Sequence, residues 1–159
     1  MVVRHIKALF VFAALFIFAA LTAARPSMAE ERATTEEAQA LVVKAVELYK
    51  SAGREKALAA FADPNGGFMP KDLYIFMLDM KGTMILHAKN PGLNGKDLAN
   101  LKDSDGKLFV AEQVKVASEK GSGWVDYKWV NAATKKIEPK TSFIQRADDV
   151  LIGCGAYKQ

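Results

Sequence analysis

The segments 124–130 (WVDYKWV), 140–147 (KTSFIQRA) and Val150–Tyr157 (VLIGCGAY) decide the fold. Each is rich in β-branched, aromatic or small apolar residues, and turn formers in 131–139 and at Asp148-Asp149 separate them. Runs of that kind between turns read as strands. Alternation along 124–130 sends Val125, Tyr127 and Trp129 to one face, and Trp124, Asp126 and Lys128 to the other. Upstream, Gly121-Ser122-Gly123 ends a helical pattern over 107–120 with Val110, Val114 and Ala117 on one side. Before it, residues 89–106 are rich in Asn, Gly, Asp and Lys and read as a long loop with short turns.

Further upstream, 72–78 is apolar on both parities, as expected of a strand covered on both faces. Asp79-Met80-Lys81-Gly82 is a tight turn and 83–88 a returning strand, so the two form a hairpin. Its register is open. A two-residue turn at Met80-Lys81 sets His87 opposite Tyr74, whereas a type I turn with a bulge at Gly82 sets it opposite Ile75. Asn65-Gly66-Gly67 separates the hairpin from two helices. In the first, Thr34 and Glu37 have capping-box spacing. Ala38, Leu41, Val42, Ala45, Leu48, Tyr49 and Ala52 then form one apolar stripe, which stops at Gly53. The second spans Arg54–Ala62, turns Leu58 and Phe61 inward and halts before Pro64. Helix, helix, hairpin, helix and three closely joined strands predict an α+β fold in which an antiparallel sheet packs against helices. A long loop over such a sheet leaves a pocket between them.

The N-terminus is of a different kind. Arg4, His5 and Lys7 precede an unbroken apolar run over 8–21, and Ser27-Met28-Ala29 supplies small residues at the −3 and −1 positions. This pattern predicts a signal peptide over 1–29, cleaved after Ala29. The alternative is an uncleaved anchor in the inner membrane, although the run is short of the about 20 residues that a spanning helix needs. Either way residues 30–159 are expected in the periplasm as one domain. The formal charge of +4 belongs mostly to the leader, since the remainder carries 19 basic and 18 acidic residues. That balance offers no electrostatic case for nucleic-acid binding. After cleavage no membrane insertion is expected.

The lone Cys154, in an apolar run, reads as a buried inert thiol. With His87 as the only histidine after the leader, the chain offers neither a nucleophile–base pair nor a zinc ligand set. No catalytic residue, metal or cofactor is expected. Asp103-Ser104-Asp105-Gly106 carries a fragment of a calcium-loop pattern but lacks the remaining oxygen ligands, so it reads as a turn. A carboxylate withdrawn from water needs donors, ideally one of them charged. Lys140, His87, Tyr127 and Trp129 could supply donors and walls for one. Taken singly, the aromatics read as core, His87 as a satisfied structural group, and Lys140, beside Pro139, as a solvated strand end.

Leu73-Tyr74-Ile75-Phe76 with Asp79-x-x-Gly82, His87, Asn90-Pro91 and Gly95-Lys96 opens an ordered series of motifs. Leu101-Lys102-Asp103, Asp105-Gly106-Lys107 and Gly123-Trp124-x-x-Tyr127-x-Trp129 continue it, and Pro139-Lys140-x-Ser142 and Gly153-x-Gly155-x-Tyr157 complete it. The series resembles a single Cache domain, the extracytoplasmic sensor module of bacterial chemoreceptors and histidine kinases. That resemblance implies a PAS-like antiparallel sheet behind a long N-terminal helix. It also implies a small organic acid as ligand, such as acetate, propionate, lactate or pyruvate, held by Tyr74, Phe76, His87, Tyr127, Trp129 and Lys140. Two positions depart from the pattern: Ala88, where Pro often follows the His, and Phe143, where an aromatic hydroxyl is common. Family receptors continue into a membrane helix and a signalling module, so the expected form is a stand-alone exported sensor feeding chemotaxis or two-component signalling through a membrane receptor or kinase. The alternative is a non-catalytic interaction module that regulates a membrane kinase or channel.

Overall fold

The computed structural model describes residues 31–158, and the leader expected over 1–29 lies outside them. The capping box is built: the Glu37 amide donates to the Thr34 hydroxyl at 3.2 Å, and the Thr34 amide donates to the Glu37 carboxylate at 2.8 Å. From it α1 spans Thr35–Ala52 and buries Ala38, Leu41, Val42, Ala45, Val46 and Tyr49. The chain turns at Gly53 into α2, Arg54–Ala62, which buries Ala57 and Phe61. The strands are β1 Phe76–Asp79, β2 Met84–His87, β3 Ser122–Val130, β4 Ile137–Ala147 and β5 Val150–Tyr157; α3, Phe109–Lys120, precedes β3. They form one antiparallel sheet in the order β2-β1-β5-β4-β3.

The last strand in sequence is thus central, and all eight of its residues are buried. One sheet face, with Met77, Leu86, Phe143, Ile152 and Cys154, packs on α1 and α2. The other, with Phe76, Leu78, Met84, Val125, Tyr127, Ile144 and Leu151, packs on α3 and on Leu98 of the long loop. This is the expected α+β, PAS-like arrangement, with a long helix behind an antiparallel sheet.

Three sequence expectations need correction. The strand expected over 72–78 begins only at Phe76. Its pairing with β5 ends at Phe76–Gly153, and Asp72, Leu73, Tyr74 and Ile75 are buried by packing rather than by a ladder. The turn expected over 131–139 is shorter, because β4 starts at Ile137 and contains Pro139. Proline is tolerated there because β5 has ended: Lys158 lies beyond Tyr157, and its amide donates to the Pro139 carbonyl at 2.9 Å.

The hairpin register matches neither alternative. The turn is the three-residue one, with the Asp79 amide donating to the Thr83 carbonyl at 3.0 Å and Gly82 at φ 94°. Leu78 therefore faces Met84. Beyond that pair Ile85 is an extra residue, so Met77 faces Leu86 and Phe76 faces His87. A side chain changes face with every one-residue slip. Two successive slips restore parity and return His87 to the face that carries Phe76.

Candidate ligand-binding site

The small residues of β5 make room for the site. Gly155 is paired directly with Ser142 across β4 and β5, and a Cβ there would come within 2.7 Å of Lys140 Cε and collide with the Ser142 hydroxyl. Gly153 likewise leaves the space taken by the Phe76 ring. These two glycines let a lysine and an aromatic ring lie flat across the strand. Tyr127, Lys140 and Tyr157 occupy one row of the sheet, directly opposite one another.

A narrow cavity with about 20 Å³ of free space, room for about one water, lies between this face and α3. Tyr74, Phe76, His87, Tyr127 and Trp129 line it, five of the six residues expected at the site. Lys140, the sixth, is not on the wall. It lies directly behind Tyr74, 1 % exposed, with Nζ donating to the Tyr74 hydroxyl oxygen at 2.8 Å and placed over the Tyr74 and Tyr157 rings. Its reading on composition alone as a solvated strand end is therefore wrong: β4 runs three residues further than expected and carries Lys140 into the interior.

No carboxylate makes an ion pair with Lys140 among the described residues. Asp72 acts on it only through its field, and its Oδ1 accepts the Ala33 amide N–H at 2.8 Å. Burial pulls the Lys140 ammonium down to about 8. Because the lysine donates to the phenol oxygen, the Tyr74 O–H proton points away from it, with the Tyr157 hydroxyl as a neighbouring acceptor. Burial holds that proton in place by raising the phenol well above its usual range.

His87 is 5 % exposed, 4.8 Å from the Tyr74 ring and 6.2 Å from Trp129. Its Nδ1 accepts the Asn90 amide at 3.0 Å, which places the ring proton on Nε2. Burial, reinforced by the Lys140 charge, lowers it to about 4, so the imidazole is neutral at ordinary pH and acts as a donor. Tyr127 stacks on Phe109 at 4.5 Å and shares a 2.9 Å hydrogen bond with Ser142. Among the described residues no acidic side chain lines the cavity. It presents donors among apolar walls, which suits an oxygen anion of small size.

Other expectations resolve simply. Trp124 is on the far face, half-exposed and tilted against Phe143 at 5.2 Å. Phe143 packs on the α1 side, so its departure from the family pattern does not touch the cavity. Cys154 is fully buried, and burial pushes its thiol up to about 12. Asp103 forms a turn: its Oδ1 accepts the Asp105 and Lys107 amides at 2.9 Å, and its Oδ2 holds the Lys128 amide of β3 at 3.0 Å.

Residue-by-residue reading missed Met84, Leu98, Phe109, Val110 and Gln113, all on the cavity wall. A signal for Gln113 existed. It lies three and four residues after Val110 and Phe109 and four before Ala117, a polar residue in the middle of the apolar stripe.

Comparison with known proteins identifies the family of the domain. The family profile described as single Cache domain 2 matches residues 18–159. The methyl-accepting chemotaxis protein McpP of Pseudomonas putida is 34% identical over 88 residues, which is 54% of this chain and 16% of that receptor. The sensor histidine kinase MctS of Rhizobium johnstonii is 34% identical over 89 residues, 55% of this chain and 19% of that kinase. The chain thus spans less than a fifth of these two relatives. A solved Cache chemosensory domain, described for its recognition of carboxylic acids, superposes with a TM-score of 0.62 at 27% identity, covering 78% of this chain and 88% of that one.

Proposed function

The chain belongs to the single Cache domain 2 family of sensor domains, and from that premise we propose that it is a periplasmic, non-catalytic sensor for a small organic acid of the acetate, propionate, lactate or pyruvate class. The observation that carries this reading is the donor-lined cavity backed by a buried lysine without a carboxylate partner. An unpaired buried ammonium is costly. A carboxylate in the cavity restores the missing charge through the Tyr74 phenol, whose oxygen Lys140 already engages. His87 Nε2–H and the Tyr74 hydroxyl are the donors for the acid. Phe76, Trp129 and the Phe109–Tyr127 stack enclose its short carbon chain. Exported by its leader, the domain would hand the signal to a membrane receptor or kinase of a chemotaxis or two-component system.

Titration calorimetry of the purified protein against those four acids tests the reading. At least one is expected to bind, with Lys140→Met weakening it about tenfold or more as the charge behind the Tyr74 phenol is lost. No binding by any of them, or equal affinity in the variant, sinks it. One feature favours the interaction-module alternative: Val130 and Ile137, paired at the tip of the β3–β4 hairpin, are 50% and 58% exposed. A protein partner captured through that tip, together with indifference to every acid, would decide for it.

A further inference from the structure

Gln113 is the residue of the cavity wall whose side-chain donor has no full hydrogen-bond partner among the described residues. It is 1 % exposed, it projects from the middle of α3 toward the sheet, and its side-chain Nε2 is buried without a hydrogen-bond partner among the described residues. The amide is at most a weak side-chain donor toward the Tyr127 hydroxyl, whose pKa it acts to lower, without reaching full hydrogen-bond geometry. Tyr127 is already committed to Ser142 at 2.9 Å. A buried amide donor left unpaired is destabilising, and such groups are rare outside functional sites. Its neighbours on α3, Phe109 and Val110, are apolar, so a residue of similar shape without polar atoms would serve packing better.

We propose that Gln113 is a specificity residue that reads a second oxygen on the ligand, making this a site for short hydroxy or oxo acids rather than plain alkanoates. The proposal rests on the carboxylate reading above. Tyr74 and His87 meet the acid group at the end of the cavity nearest Lys140, and Gln113, from the α3 side beside Tyr127, meets a hydroxyl or carbonyl oxygen on the carbon chain. The cavity is narrow, with about 20 Å³ of free space, so the proposal is confined to the shortest acids, in which that oxygen lies close to the carboxylate. A site built to hydrogen-bond an oxygen discriminates against the analogue lacking it far more strongly than an apolar pocket discriminates by a methyl group, because the site's own donor is then left unpaired.

Lactate, pyruvate and isobutyrate separate the possibilities, since isobutyrate replaces the lactate hydroxyl by a methyl group of similar size. In calorimetry of the full chain, lactate or pyruvate is expected to bind at least about tenfold tighter than isobutyrate. In Gln113→Met this preference is expected to collapse to within about threefold, mainly because the oxygenated acid binds less well. The ligand-free variant is expected to melt at or above the wild-type temperature, since it removes an unpaired donor. Binding of these acids with no oxygen preference, or with a preference unchanged in the variant, overturns the assignment of Gln113 and leaves the carboxylate site standing. A variant melting well below wild type also overturns it, by showing the amide to be structurally satisfied. If none of the three binds while acetate or propionate does, the assignment of Gln113 falls and the carboxylate reading stands; if acetate and propionate fail as well, both fall.

Discussion

Burial suppresses charge on both titratable residues at the back of the site, and each leaves a pH signature. His87 is held neutral, its pKa lowered from 6.5 to about 4 by burial and then by the Lys140 charge. As pH falls from 6.5 to 4, the unfolded chain takes up a proton that the folded one refuses, so stability present above 6.5 is lost on acidification. The shift corresponds to about 3 kcal/mol. Urea unfolding from pH 7 to pH 4 should show a shallower decline in His87→Gln than in wild type; parallel curves would refute the assignment. Lys140 works on the other side of neutrality. Below about pH 8 it is charged and ready for an anion, whereas above that value binding must first recruit a proton. Carboxylate affinity should therefore fall by up to tenfold per pH unit above 8, with proton uptake detectable between buffers of different ionisation enthalpy. A flat profile from pH 7 to 9 would remove Lys140 from the electrostatics of the site.

At the scale of elements, local chemistry and packing can be separated by substitution. Thr34→Ala removes the exposed capping box of α1 and should cost about 1 kcal/mol in denaturant unfolding without altering ligand affinity. Gly155→Ala acts in the opposite way. Its Cβ meets Ser142 and Lys140, so overpacking of about 1–3 kcal/mol should come together with weakened acid binding as the lysine is displaced. Intact affinity in that variant would show that the Lys140 position does not matter. The same elements show what was legible in the sequence. α1 and α2 were readable because their caps and stripes are local signals. β1 and β4 were misjudged at their starts: burial of residues 72–75 comes from packing rather than from a ladder, and Pro139 reads as a breaker unless one knows that β5 stops beside it. The extra residue at Ile85 leaves no local mark, since it is one apolar residue among four in β2.

Over the whole molecule, a surface depression of about 380 Å³ adjoins the cavity and shares Tyr74, His87 and Trp129 with it. Lys89 and Lys135 line this mouth, both exposed and neither in an ion pair among the described residues. A rim of one charge raises the encounter rate of the opposite charge and is screened by salt. Lys89→Gln with Lys135→Gln should slow acid association several-fold at low ionic strength and leave dissociation unchanged; stopped-flow rates insensitive to both salt and the pair would exclude steering. The order of periods, caps, turn formers and motifs along the chain was enough to determine the α+β class, the helices, the existence of the five strands and the sensor family, because each is written in neighbouring residues. Tertiary structure alone decided that β5 is central, that two one-residue slips bring His87 back to the face of Phe76, that Lys140 is buried behind Tyr74 rather than solvated, and that Gln113 completes the wall. Those depend on which strands meet and in what register, and the energy of such contacts lies between residues far apart in the sequence.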